Sequence, residues 1–268
     1  MSGMLNRRKA LALGGGAALG AMVAGAGTAS AATGWIRLPI VTANIGRDNL
    51  GAREAAIDAV RNCDSLVRPL VGWQEINEGD TGEPAMIDHY FGPLYKNAFL
   101  RHNTSFRIPI SIPQPWEVAS SKTTYVHGGI TGVTPPRWIN EVVVRHQSHP
   151  TLQFALINSH YIANAYNGDQ RADLRDEWNE HKRIHASRVL AHHNVGRLVF
   201  WTADTNNPNY YKATSLESER RCFGTGIDRI NWLAGNGVVQ EQFIDTKTVD
   251  MRVDGHDARV AVFQVRLA

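Results

Sequence analysis

Apolar residues come in short runs, and several of these runs break on ionisable side chains. Residues 36–45 (IRLPIVTANI) have the β-branched, apolar character of a strand. Residues 51–62 (GAREAAIDAVRN) predict a helix, with Ala56, Ile57 and Val60 on one face. A second apolar run, Leu66 to Trp73, stops at Gln74-Glu75. From Glu78 to Arg137 periodicity is poor. Pro84, Pro93, Pro109, Pro113, Pro115, Pro135 and Pro136 cut this region into pieces, which predicts loops and short strands. Residues 139–145 and 154–158 are strand-like, and the second run leads into Ser159-His160-Tyr161. The longest predicted helix is 170–194, with Leu174, Trp178, Ile184 and Leu190 marking its apolar side. Further strands are expected at 198–201, 226–233 and 260–267, and no internal repeat is visible.

What recurs is the ending. Asn44, Glu75, His160, Asp204 with Asn206, Asp228 and His256 each follow, precede or interrupt an apolar run. The stretch WTADTNNPN (201–209) is the most pointed case, with a carboxylate and a carboxamide two residues apart. Each residue has a plain structural role open to it. Asp and Asn are common turn formers, and a single His among 11 says little. Strand ends along one edge of a sheet converge, however, and sites are usually built on loops carried by a rigid scaffold.

Composition changes the picture at the first 31 residues. Asn6-Arg-Arg-Lys9, an uncharged Ala/Gly-rich stretch and Ala29-Ser-Ala31 follow the plan of a secretory signal, and Arg7-Arg8 gives it a twin-arginine look. An uncleaved anchor is the alternative, although the segment is only marginally apolar. The expected organisation is a leader over 1–31 and one domain over 35–268. An exported protein without stable membrane insertion after leader removal, and monomeric, is expected. Arg7, Arg8 and Lys9 account for the formal +3, leaving 25 Lys and Arg against 25 Asp and Glu. Composition therefore supplies no broad basic face for nonspecific nucleic-acid binding; Arg171 to Arg188 and Arg220-Arg221 are local candidates. Cys63 and Cys222 lack metal-site spacing, and one disulfide or two free thiols are both open.

Taken in order, VTANI (41–45), GWQEI (72–76), INSHY (157–161), ADTN (203–206), GIDRI (226–230) and GHDARVAVF (255–263) resemble the motifs of the endonuclease/exonuclease/phosphatase superfamily. The resemblance implies an α/β fold, a four-layer αββα sandwich of two packed mixed β-sheets flanked by helices. It also implies hydrolysis of a phosphate ester with Mg²⁺ or Mn²⁺. Oxygen ligands of this kind suit hard divalent ions. Carried over residue by residue, Glu75 matches the metal-binding glutamate and Asn44 the asparagine beside the metal and phosphate. Asp204 matches the acid that activates or orients water, and Asn206 the amide that positions it. His160 matches a phosphate-contacting or leaving-group histidine. Asp228 matches the acid that orients a second histidine, and His256 that histidine.

Two departures stand out. The family's final Ser-Asp-His has Gly255 in place of the acid before His256, leaving Asp254 and Asp257 as possible substitute acids. Thr205 replaces the usual phenylalanine of the Gly-Asp-Phe-Asn pattern, so the loop is expected to be set differently. The function expected is metal-dependent phosphodiester hydrolysis by a secreted nuclease acting on DNA or RNA. The alternatives are a phosphatase or lipid phosphodiesterase, and a binding-only relative disabled at Gly255.

Overall fold

The structure is a computed structural model, and it describes residues 34–46, 52–77, 82–253 and 255–268. The leader over 1–31 and Asp254 lie outside the described residues. Two six-stranded mixed sheets pack face to face, as expected.

Sheet A has the order β11-β12-β1-β2-β4-β3, built from β1 (Ile36–Asn44), β2 (Leu70–Gln74), β3 (Tyr95–Ala98), β4 (Ile110–Pro113), β11 (Val239–Val253) and β12 (His256–Leu267). Sheet B has the order β5-β6-β7-β8-β10-β9. Its strands are β5 (Trp116–His127), β6 (Arg137–His146), β7 (His149–His160), β8 (Leu198–Asp204), β9 (Arg220–Arg221) and β10 (Asp228–Leu233). Each sheet contains one parallel pair, β1 with β2 and β7 with β8, and its other pairs are antiparallel. A parallel pair needs a crossover. The helices α1 (Arg53–Arg61) and α3 (Arg175–His193) lie on these two crossovers.

Burial explains the apolar runs. In β1, Leu38 and Ile40 enter the core between the sheets, while Val41 and Ala43 face the core shared with α1 and α2 (Glu83–Phe91). In β8, Leu198 and Phe200 enter the inter-sheet core, and Val199, Trp201 and Ala203 lie in the core beside α3. Strands covered on both faces read as continuous apolar runs. The result is four layers, with helices outside both sheets.

Several elements escape the sequence pattern. β5 and β11 are edge strands with exposed polar residues such as Ser120, Ser121, Lys122 and Glu241-flanking Gln242. Helix α2 starts on Glu83-Pro84, where proline fits the first turn and costs no hydrogen bond. Leu66 and Val67 are exposed, so β2 begins only at Leu70. Helix α3 buries Trp178, His181, His185, Val189 and His192, and Ile184 packs half-buried against the same core, so three histidines share the inner face with the apolar residues, while Leu190 is only half-buried. Cys63 and Cys222 are both free thiols, seated in different cores.

Candidate active site

The four strands of the two parallel pairs run towards one end of the sandwich, and Asn44, Glu75, His160 and Asp204 stand at or just beyond their carboxyl ends. That is where open α/β sheets usually place ligands. The antiparallel neighbours β10 and β12 begin at the same end with Asp228 and His256. Asp228 lies directly opposite Asp204 in the β8–β10 register.

Asn44 ties the sheets together. Its Nδ2 donates to Asp204 Oδ2 at 2.9 Å and to Glu75 Oε1 at 3.4 Å. Its Oδ1 accepts from Gly46 N–H at 3.0 Å, so the same side chain forms an Asx turn. The turn and the site are not rival explanations here. Glu75 has φ +62 and Asn206 φ +46, conformations uncommon for residues with a side chain. Asn206 is held by its N–H donating to Asp204 Oδ1 at 2.8 Å and its Nδ2 donating to the Tyr161 carbonyl at 3.1 Å. Asn167 Nδ2 donates to Asn206 Oδ1 at 2.7 Å, which fixes which end of the Asn206 amide faces His160. Thr205 Oγ1 donates to the Ile227 carbonyl oxygen at 2.8 Å, bracing the turn against the residue before Asp228.

His160 Nε2 lies 3.3 Å from Asn206 Nδ2, 3.5 Å from Asp204 Oδ2 and 3.6 Å from Glu75 Oε1. Burial, with the positive charges of Arg137 and Arg107, holds His160 well below the usual imidazole range, so it is neutral. His256 behaves in the opposite way. Burial alone would lower its pKa, but the Asp228 carboxylate, 3.0 Å from Nδ1, overcomes this with help from Asp204 and Glu75, and His256 is pushed up to about 9. Burial and then the neighbouring Asp228 raise the Asp204 carboxyl well above the ordinary carboxylate range.

Two sets of ligand atoms gather within 4.8 Å of one another, Glu75–His160–Asp204 and Asp204–Asp228–His256, with Asp204 common to both. Asp228 Oδ1 is buried without a hydrogen-bond partner among the described residues. Three acids converging with the Asn44 amide and a partnerless carboxylate oxygen fit a hard divalent cation bound through oxygen.

The substitute acids fare less well. Gly255 has φ +80, a turn that favours glycine, and Asp254 before it is outside the described residues. Asp257 is exposed and follows His256 directly in β12, so alternation sends it to the opposite face, and it is not part of either ligand set. Asp257 is thus no substitute acid.

Arg107 and Arg137 went unread in the sequence. They line a cavity of about 160 Å³ with Glu75 and His160. Both sit in or at the end of the proline-broken region, where no periodicity points to them. The one available signal is a lone arginine next to an apolar run, as in Phe106-Arg107-Ile108-Pro109-Ile110.

No protein-family model matches the chain. No curated protein matches it either. Solved structures do. A Bacteroides vulgatus endonuclease/exonuclease/phosphatase superimposes with a TM-score of 0.61 at 12% identity, covering 87% of this chain and 100% of that one. TDP2 from C. elegans gives 0.63 at 15% identity, over 87% of this chain and 76% of that one. A Bacteroides thetaiotaomicron mannosyl-6-phosphatase gives 0.56 at 11% identity, over 86% and 99%. The architecture is an α/β sandwich with acids and histidines gathered at one end. Its fold is the endonuclease/exonuclease/phosphatase fold.

Proposed function

We propose that this protein is an exported hydrolase that cleaves phosphodiester bonds with Mg²⁺ or Mn²⁺, a nuclease acting on DNA or RNA. The observation that carries the reading is the shared position of Asp204, between Glu75 and His160 on one side and the Asp228–His256 pair on the other. The similar structures support phosphoester chemistry in general, since their names include an endonuclease/exonuclease/phosphatase and a mannosyl-6-phosphatase. The leader supports export. Among the described residues no helix is long and apolar enough to cross a membrane.

Glu75, with Asn44 at its side, would hold the cation. When bound, it supplies Lewis acidity at the phosphoryl oxygens. The chain's own residues do the rest. Asp204, with its raised pKa, is a stronger base than an ordinary carboxylate and accepts the proton of the attacking water. Asn206, anchored at both ends of its amide, orients that water and a phosphoryl oxygen. His160, kept neutral, offers a hydrogen bond without competing as a charge with the cation. His256, kept cationic by Asp228, faces the charge that develops on the phosphorane and on the departing oxygen.

The test is a nicking assay on supercoiled plasmid, using protein that starts near Ala32. Nicking in Mg²⁺ or Mn²⁺ that is lost with chelator and with His256→Ala supports the reading. Folded protein that binds plasmid without nicking it, and cleaves no small phosphodiester, would point to a binding protein instead.

A further inference from the structure

The cavity of about 160 Å³ beside the site has two unlike surfaces. Glu75, His160, Arg107 and Arg137 make its polar side, and Val133, Pro135, Ile162 and Leu174 its apolar side. It meets the reacting centre only through Glu75 and His160. Asp204, Asn206, Asp228 and His256 are not in its wall. A phosphoryl group between Asp204 and His256 therefore has this cavity on its far flank, across His160.

The polar side is built for an anion. Arg137 Nε is shut off from solvent and has no hydrogen-bond partner among the described residues. Burial, and then the positive charge of Arg107, push Arg137 down to about 10 against the opposing pull of Glu75 and Asp204. A desolvated guanidinium with an unpaired N–H is costly, and an anion placed against Arg137 removes the cost. The guanidinium fork matches the oxygens of a phosphoryl group. The neighbouring apolar wall suits a sugar or ring attached to that group.

We propose that this pocket seats a second phosphoryl group of the substrate, one linkage from the scissile one, so that the preferred substrates are nucleotides or short strands carrying a phosphate next to the bond that is cut. The inference rests on the phosphodiesterase reading for its catalytic arm and is independent of it for its binding arm. The pocket selects for the adjacent phosphate through KM. His160, shared by pocket and reacting centre, is the point at which an occupied pocket would hold the scissile group in register.

The experiment compares thymidylyl-thymidine with the same dinucleotide bearing a 5′-phosphate, using protein that starts near Ala32 with Mn²⁺. A kcat/KM ratio of about ten or more in favour of the phosphorylated form is expected, the size of one charge-assisted contact. Arg137→Met should bring this ratio towards one, and Arg107→Met should lower it in the same direction. A wild-type ratio near one overturns the proposal. So does a loss in Arg137→Met that is equal on both substrates, because that would place Arg137 on the scissile phosphate. The second arm measures binding of inorganic pyrophosphate by calorimetry in the presence of chelator. Wild type should bind, and a folded Arg137→Met should bind at least about tenfold more weakly. If neither dinucleotide is cut yet pyrophosphate binding depends on Arg137, the phosphodiesterase reading fails and the pocket stands. If wild type does not bind pyrophosphate and shows no preference, the pocket assignment fails.

Discussion

Asp204 and Asp228 face each other across β8 and β10, so two buried carboxylates occupy adjoining strands at one register position. Like charges so placed cannot both ionise cheaply. The protein answers on one side with His256, hydrogen-bonded to Asp228 at 3.0 Å, and on the other with Asn44 donating to Asp204 at 2.9 Å. What remains is a raised Asp204, strained as a charge and useful as a base.

Asp204→Asn separates stability from activity. Removing one of two opposed carboxylates relieves repulsion, so the melting temperature in chelator should hold or rise. Turnover of a phosphodiester should fall by roughly 10²–10⁴-fold, the usual worth of a positioned base. A circular dichroism melt beside a rate assay reads both. A variant that keeps wild-type turnover would remove Asp204 from the mechanism.

Metal binding should stabilise the folded chain. Mn²⁺ or Mg²⁺ at about a hundred times its dissociation constant should add about 2.7 kcal/mol. Thermal shift against metal concentration measures this, and Glu75→Gln should flatten the curve. A curve left unchanged by Glu75→Gln would place the ion elsewhere.

The pH profile should rise as Asp204 ionises, above the normal carboxylate range, and fall as His256 loses its proton near pH 9. In Asp228→Asn the burial of His256 is no longer opposed by its neighbour's charge. The alkaline limb should then move to lower pH. Stability follows the same sign. The folded pKa of His256, about 9, exceeds the ordinary 6.5, so its contribution, at most about 3 kcal/mol, is complete below 6.5 and lost as pH rises through 9. Denaturant melts at several pH values would show this loss in wild type and not in the variant.

Gly72→Ala tests the packing beneath the site. A Cβ there would collide with Thr202 Oγ1 and stand 2.7 Å from Asn158 Oδ1. Overpacking of this kind costs about 1–3 kcal/mol. Adding Thr202→Ala should recover part of the loss, since Asn158 remains close. A neutral Gly72→Ala in urea unfolding would mean that the two sheets can part at little cost.

The six strand-end motifs were legible because the strands carrying them are buried on both faces, so their apolar runs stop abruptly at Asn44, Glu75, His160 and Asp204. Edge strands β5 and β11 were not legible, because their exposed faces are polar along much of their length. The inner face of α3 was hidden for another reason. His181 and His185 read as polar letters, yet each is buried with a partner: Ser159 Oγ lies 2.6 Å from His181 Nε2, and Tyr161 Oη lies 2.8 Å from His185 Nδ1. Arg107 and Arg137 were out of reach because their meaning is spatial. Arg107 comes from a loop and Arg137 from the start of β6, and they meet only where both line one cavity.

Behind the site, Asn158 Nδ2 donates to the Trp73 carbonyl at 2.7 Å, its Oδ1 accepts from Gln74 Nε2 at 2.7 Å and from Thr202 Oγ1 at 3.0 Å, and Gly72 leaves the room for this. The candidate site is divided, with Asn44, Glu75 and His256 carried by one sheet and His160, Asp204 and Asp228 by the other. This amide knot works as the jaw stop of a calliper: it sets how far apart the two halves of the candidate site stand. Evolution can therefore tune the gap across the candidate site by altering residues that lie behind it.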